Sequence, residues 1–357
     1  MQGKNSSTVP ARSGSLHVAV IAGDGIGREV TAEATGVLRE VAGVELHEFP
    51  WGADHYLKTG VTIPADGYDT LRSFDAIFIG ALGDPRVPDN RHARDILLGT
   101  RFELDLYVNY RPVRLLDDRL CPLKNRTRQD VDFVVFRENT EGLYVGAGGR
   151  MRPDTPDEIA IQEEINTYRG VHRIIRHAFE FANERGLRSV CMADKSNAMT
   201  HGHALWQRVF RELSPEYPQI QATHLYIDAL ALLLVQSPDQ FEVIVTNNLF
   251  GDIITDLGAA LQGGLGMAAS GNIHPGRTSM FEPVHGSAPP LAGKNVANPI
   301  GAILSVALML ETLGRAEDAS RIEHAVEASV HAGETTRDIG GPLGTREAGA
   351  AIVRRLT

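Results

Sequence analysis

Short apolar runs rich in β-branched residues recur along this sequence, with helical patterns between them. HVAVIA at 17–22 leads into helical spacing over about 28–41, and DAIFIG at 75–80, VDFVVF at 131–136, SVCMA at 189–193 and FEVIVT at 241–246 continue the series. This is the rhythm of an α/β protein whose sheet is at least partly parallel. The 357 residues, 43% of them apolar, suffice for two domains, or for one large domain with an excursion. No internal repeat is visible. Stretches 117–128 and 146–156 read as loops, an extended arm or crossover points, and the tail over 298–356 reads as largely helical, broken at Gly340-Gly341-Pro342.

Between the first apolar run and the first helix stands VIAGDGIGREV at 20–30, where a dinucleotide-binding turn would sit. That fingerprint needs glycines at its first, third and sixth positions, so that backbone can crowd a pyrophosphate at a helix N-terminus. Gly23 and Gly25 fill the first two, but Arg28 occupies the sixth. The motif therefore reads as a glycine-rich strand-to-helix turn of another purpose, and a phosphate-binding backbone has to be sought elsewhere.

With 35 basic and 45 acidic residues the net charge is −10, without a polybasic block, so neither nucleic acid nor an anionic membrane is expected as a partner. An anionic substrate must then be held by locally concentrated arginines. Cys121 and Cys191 stand in no metal-like or CxxC spacing and read as packed thiols of a reducing compartment. Residues 1–15, polar and rich in Ser, Gly and Pro, read as a flexible leader without a secretory apolar region. The apolar runs at 229–235 and 301–310 are about half the roughly 20 residues that a membrane helix needs. A cytoplasmic location is expected.

NNLFGDIITDLG at 247–258 has helical apolar spacing and sets Asp252 and Asp256 four residues apart, on one face. Like charges one turn apart repel, a divalent cation turns that cost into a gain, and oxygen ligands suit Mg2+ or Mn2+ rather than zinc. The plainer alternative is a pair of acids complementing a helix N-terminus. Asp228, in YIDALALLLV, lies in an otherwise apolar run, and the cost of desolvating a carboxylate predicts a cationic partner for it. Arg101 in GTRFELDLY, Arg111 in VNYRP and Arg137 in VVFRENTEG offer planar forks suited to a small di- or tricarboxylate, or else three separate surface ion pairs. ENTEGLYVG supplies Tyr144, and ADKSNAM supplies Lys195 and Asn197. A lysine beside carboxylates and a metal can accept a proton and a tyrosine can donate one, though each is also an ordinary surface or half-buried residue. FEPVHGSAPP at 281–290 and ANP at 297–299, before the apolar helical stretch GAILSVALML, form a second loop of Gly, Pro and small residues. Its backbone N–H groups can take a pyrophosphate, with His285 as an added donor to an anionic oxygen.

Taken in order, GDGIG, TRFELDLYVNYRP, FRENTEGLYVG, DKSN, YIDA, NLFGDIITD and EPVHGSAPPLAGKNVANP resemble the β-decarboxylating dehydrogenases of isopropylmalate, homoisocitrate, isocitrate and tartrate or D-malate, from about residue 17 to the C-terminus. The resemblance implies an isocitrate/isopropylmalate dehydrogenase-like α/β fold, with a mixed sheet and two domains, unlike the usual Rossmann domain. A large cofactor-binding domain is expected over 16–108 and 265–357, and a smaller one carrying the dimer interface over 109–264. By matching motifs, Arg101, Arg111 and Arg137 would bind substrate carboxylates. Asp252 and Asp256 would hold Mg2+ or Mn2+ together with Asp228 of the partner subunit in a homodimer with shared active sites. Lys195, also from the partner, would take the hydroxyl proton, Tyr144 would protonate the carbon after CO2 leaves, and Asn197 would line the substrate. The loop Glu282, His285, Gly286, Ser287, Ala288, with Asn298, would hold NAD. The implied reaction is oxidative decarboxylation of a 3-substituted malate, first of all 3-isopropylmalate to 2-oxoisocaproate, with tartrate, D-malate or homoisocitrate as alternatives.

Substrate and cofactor choice rest on departures from the family pattern. Leu97 and Leu98 stand where they favour an apolar substituent on the malate, but Arg94 replaces an acid seven residues before Arg101, which suggests tolerance of, or preference for, a more polar or anionic one. GDPRVPD at 83–89 and VNYRPVRLL look more like the tartrate/D-malate branch. After HGSAP comes Pro290, neither the acid common in NAD-specific relatives nor the basic residue that meets the 2′-phosphate of NADP. NAD is the expected cofactor, because a phosphate without a nearby cation is costly, although Arg337 stands as a possible cation. A metal-dependent hydrolase or lyase would also use clustered aspartates but leaves the HGSAP loop without a purpose. A catalytically dead carboxylate-binding subunit would not be expected to keep Tyr144, Lys195 and all three aspartates.

Overall fold

The computed structural model describes residues 15–356, so the leader expected over 1–15 lies, except for Ser15, outside the described residues. The chain divides into two compact units, one from both ends of the chain up to Leu104 and from Gly264 onward, the other Asp105–Gly263. The resemblance places the joins after 108 and before 265, a few residues from these bounds. The strands, in chain order, are β1 (Leu16–Gly23), β2 (Val44–Glu48), β3 (Ala76–Ala81), β4 (Val108–Arg114), β5 (Asp132–Glu138), β6 (Gly148–Met151), β7 (Ile159–Gln162), β8 (Ser189–Asp194), β9 (Gln221–Tyr226), β10 (Val243–Thr246), β11 (Ala269–Ile273) and β12 (Ser279–Pro283).

In the first unit the strand order is β2-β1-β3-β12-β11, parallel except between β11 and β12. In the second it is β4-β5-β10-β8-β9, with only β4 and β5 antiparallel. The α/β class with a mixed, at least partly parallel sheet expected of the sequence is what forms, and most of its pairings are parallel. Apolar stretch 301–310 lies within helix Ile300–Thr312, which is buried on every side through Ile303, Val306, Leu310 and their neighbours. An all-round apolar helix belongs in a core. No helix among the described residues is long and apolar enough to cross a membrane. The second unit packs around Phe133, Val135, Ile244, Leu230, Leu234 and Ile254.

Stretch 146–156, open between loop and arm, contributes β6, which pairs with β7 in an exposed antiparallel hairpin. β11 (ASGNI) and β12 (SMFEP) escaped the pattern reading because their Ser, Asn and Glu residues do not look like strand interiors. Both are wholly buried, and the Asn272 amide donates to Glu282 Oε1 at 2.8 Å, so the polar groups satisfy one another.

The GDGIG turn is a structural bracket. Gly25 has a φ of +54°, and a Cβ there would stand 2.0 Å from the carbonyl oxygen of Ser287. That same oxygen accepts the Ile26 N–H at 2.8 Å. Asp24 is buried, and its carboxylate receives the N–H of Ala53 at 2.7 Å and of Gly83 at 2.9 Å while His92 Nε2 lies 2.9 Å away. The missing third glycine is explained: the turn seats the HGSAP loop instead of a phosphate. Gly25→Ala combines positive-φ strain with a backbone clash, and is expected to cost about 1–3 kcal/mol in denaturant unfolding; stability equal to wild type would refute the bracket.

Candidate active site

The second unit concentrates the residues that the sequence singled out. Arg137, one residue before the end of β5, lies almost wholly buried across helix Asn248–Leu261, where a Cβ on Gly251 would come within 2.5 Å of its side chain. Only glycine leaves room for the aliphatic stem of Arg137. Arg137 donates from Nη1 to Asp252 Oδ1 at 2.7 Å and from Nε to the carbonyl oxygen of Asn248 at 2.7 Å. Arg111, buried on β4, donates to Thr255 Oγ1 at 2.5 Å and stands 3.5 Å from Asp252 Oδ1. Tyr144, in the short turn Leu143–Val145, donates to Asp252 Oδ2 at 2.8 Å and lies under the Arg137 guanidinium, 5.1 Å from the ring centroid. Asp252 and Asp256 share the face that the spacing predicted. Neither falls in the first turn, so they do not serve to complement the helix N-terminus. Burial, and then the charge of Asp252, push the Asp256 carboxyl above its ordinary range, against the two arginines.

Asp228 differs from expectation. It was read as a carboxylate within a buried apolar run, yet it sits in the first turn of helix Ile227–Gln236 with its side chain 67% exposed. The helix buries only Leu230 and Leu234 and turns Leu232 outward, 56% exposed, so apolar composition overstated its burial. The cationic partner is there: Lys195 Nζ lies 2.5 Å from Asp228 Oδ1 and holds that carboxyl below its ordinary range. Within one chain Asp228 does not join Asp252 and Asp256 in a three-ligand cluster among the described residues. Asn197 is exposed beside Lys195, in the turn after β8.

A buried network that the sequence reading missed fixes that turn. The Lys195 N–H donates to His203 Nδ1 at 2.7 Å, which assigns the proton to Nε2, and Nε2 faces Glu164 at 3.2 Å. Glu164 also accepts from Asn247 Nδ2 at 2.6 Å, and Asn247 caps the helix carrying Asp252 through the N–H of Phe250. Lys195 and the helix carrying Asp252 and Asp256 are thus tied to one hydrogen-bonded frame. The visible signal was the Asn-Asn pair before the helix, a capping signature.

In the first unit Arg101 is buried and donates to Glu282 Oε1 at 2.9 Å, while its Nε has no partner among the described residues. Leu97 and Leu98 lie half-buried on a π-helical turn, Arg94–Leu98. Arg94 is exposed, with its guanidinium 3.3 Å from neighbouring Asp95. At the HGSAP loop, Gly286 has open space where a side chain would project, Ala288 holds a left-handed backbone at φ +38°, and Ser287 is fixed by the GDGIG turn. Burial lowers the affinity of His285 for a proton, and its Nδ1 lies 3.0 Å from the carbonyl oxygen of Gly286. The neutral ring therefore keeps its hydrogen on Nδ1 and leaves Nε2 as an unpartnered acceptor. In this tautomer the Nδ1 hydrogen is engaged by Gly286, whereas the sequence reading has His285 as a donor to an anionic oxygen. Asn298 is buried, accepting from the Ile300 N–H and donating to Asp338 at 3.0 Å.

Residues 17–352 match the family model described as isocitrate/isopropylmalate dehydrogenase. The chain belongs to the isocitrate/isopropylmalate dehydrogenase family. It is 47% identical over 348 residues to the 3-isopropylmalate dehydrogenase of Thermobifida fusca, covering 96% of this chain and 98% of that one. It is 49% identical over 345 residues to that of Corynebacterium jeikeium, covering 96% and 100%. Among solved structures, isocitrate dehydrogenase from Methylococcus capsulatus superposes with a TM-score of 0.88 at 35% identity, over 96% of this chain and 99% of that one.

For this dehydrogenase the His203 network gives a test. His203→Leu strips the acceptor from the Lys195 amide and a donor from Glu164, and is expected to cost about 2–4 kcal/mol of stability while lowering turnover. Wild-type stability and turnover in the variant would show that the network holds nothing in place.

Proposed function

We propose that this dehydrogenase oxidatively decarboxylates 3-isopropylmalate to 2-oxoisocaproate with NAD, using Mg2+ or Mn2+. The observation that carries this reading is the convergence of Arg111, Arg137 and Tyr144 on Asp252, one turn from Asp256. The donor set fits a hard divalent ion: two carboxylates repel one another on one helix face, and oxygen ligands suit Mg2+ and Mn2+. The HGSAP loop fits a dinucleotide through its open Gly286, the positive φ of Ala288 and the unpartnered His285 Nε2. Asp252 and Asp256 would hold the ion, which would supply Lewis-acid stabilisation of developing negative charge, and the HGSAP loop would hold the dinucleotide that would serve as hydride acceptor.

The chain's own groups do the remaining work. Arg101, Arg111 and Arg137 hold the carboxylates by planar contacts, and the unpartnered Arg101 Nε is a donor reserved for an anion. In its neutral amine form Lys195 accepts the hydroxyl proton and becomes the ammonium that Asp228 pairs with. Tyr144, already donating to Asp252, delivers a proton to the carbon left by CO2. Asp228 and Lys195 reach the metal and substrate from a second copy, a reading supported by Asp228 lying exposed and apart from the other two aspartates, next to outward-facing Leu232. The first unit then carries the cofactor and the second the subunit contact. Leu97 and Leu98 take the isopropyl group while Arg94 stays with Asp95. NAD over NADP is supported by Asp338, whose carboxylate holds Asn298 beside the loop and would oppose a 2′-phosphate.

Reduction of NAD+ and NADP+ by the purified protein with Mg2+ or Mn2+ should be fastest with NAD+ and 3-isopropylmalate, among isopropylmalate, D-malate, tartrate, homoisocitrate and isocitrate. A preference for an acid without an alkyl group would mean that Arg94 defines the pocket. Lys195→Ala should lower kcat by about 100- to 10,000-fold, and unchanged turnover would remove the lysine from the mechanism.

A further inference from the structure

A second set of ligating side chains lies in the first unit, away from the aspartates. Parallel pairing of β1 with the edge strand β2 sets His17 opposite Glu45, and His47 follows two residues on, on the same face of β2. His17 Nδ1 and His47 Nε2 are 3.4 Å apart, His17 Nδ1 is 3.5 Å from Glu45 Oε2, and His47 Nε2 is 3.3 Å from Glu45 Oε1. Ligand bonds of about 2.0–2.1 Å in a tetrahedron put neighbouring donor atoms about 3.3–3.4 Å apart. The two imidazole nitrogens stand at the spacing of two corners of a tetrahedral site, and Glu45 faces each with a different oxygen, Oε2 towards His17 and Oε1 towards His47, so that one of its oxygens would supply a third corner. These are the three residues among the described ones whose donor atoms gather closely enough to share an ion.

The backbone holds the arrangement in advance. The His17 N–H donates to Asp75 Oδ2 at 2.9 Å and its carbonyl oxygen accepts from the Asp75 N–H at 2.9 Å, which fixes the start of β1. Phe74 packs on the His47 ring at 5.0 Å between centroids. We propose that His17, Glu45 and His47 bind a divalent transition ion of the zinc type, which fastens the edge strand β2 to β1. Two imidazoles and one carboxylate select such an ion over Mg2+, which takes oxygen ligands, so the two sites differ in chemistry. Neither histidine nor Glu45 belongs to the catalytic set, and the ion has a structural role.

The probe is Zn2+ alone, titrated calorimetrically into the metal-stripped full-length protein and into His17→Gln and His47→Gln, with thermal unfolding alongside. Each variant should bind one equivalent fewer than wild type, or bind it more weakly by at least about tenfold, since loss of even an outer-shell partner costs about 10–100-fold. Zn2+ should raise the Tm of wild type more than that of either variant. Retained Mg2+-dependent turnover in both variants shows that they are folded. Equal stoichiometry and affinity in all three proteins, or wild-type binding at this site only above millimolar Zn2+, would overturn the proposal.

Discussion

The Asp252 carboxylate is the hinge of the second unit. One oxygen faces the buried guanidiniums of Arg137 and Arg111, and the other accepts the Tyr144 hydroxyl. Asp252, with Asp256 one turn further along the helix, sets carboxylates against the two buried guanidiniums. Burying a charge costs several kcal/mol per ion unless it is paired, so these contacts are what let the two arginines lie inside the fold. Much of the local sequence follows from this requirement. Gly251 lets Arg137 lie flat on the helix, Asn248 accepts from Arg137 Nε and Nη2 through its side-chain oxygen, and Asn247 caps the same helix.

The first unit meets a different demand, since its loop must present backbone rather than side chains. The GDGIG turn supplies the support, because glycine at position 25 allows the Ile26 N–H and the Ser287 carbonyl oxygen to meet. Asp24 gathers Ala53, Gly83 and His92 around the same turn. The loop's one non-glycine residue with positive φ, Ala288, stands just beyond that support, as strain does at sites that bind ligands.

The strands with continuous apolar runs were legible because burial on both faces leaves a plain imprint, and Asp252 and Asp256 were legible because helical spacing puts them on one face. The arginines stood out by type and became readable as a group only through the order of motifs shared with the family. The strands β11 and β12 were not legible: their polar side chains are satisfied by partners distant in sequence, such as Asn272 and Glu282. Asp228 misled for the opposite reason, since an apolar helix that turns Leu232 outward looks like a buried one. His203 and Glu164 lie 39 residues apart and announce their contact by no local pattern. The His285 tautomer required its carbonyl partner to be seen.

The reading that unites these features is that each chain carries two separate catalytic groups of residues, Lys195 with Asp228 and Asp252 with Asp256, which combine only between two copies. Coexpression of Lys195→Ala and Asp256→Asn chains under different tags, and isolation of the mixed dimer, tests this directly. Two inactive parents then yield one intact site and one doubly damaged site, and the mixed dimer should recover about half of wild-type turnover per dimer. A mixed dimer as inactive as both parents would contradict the shared site.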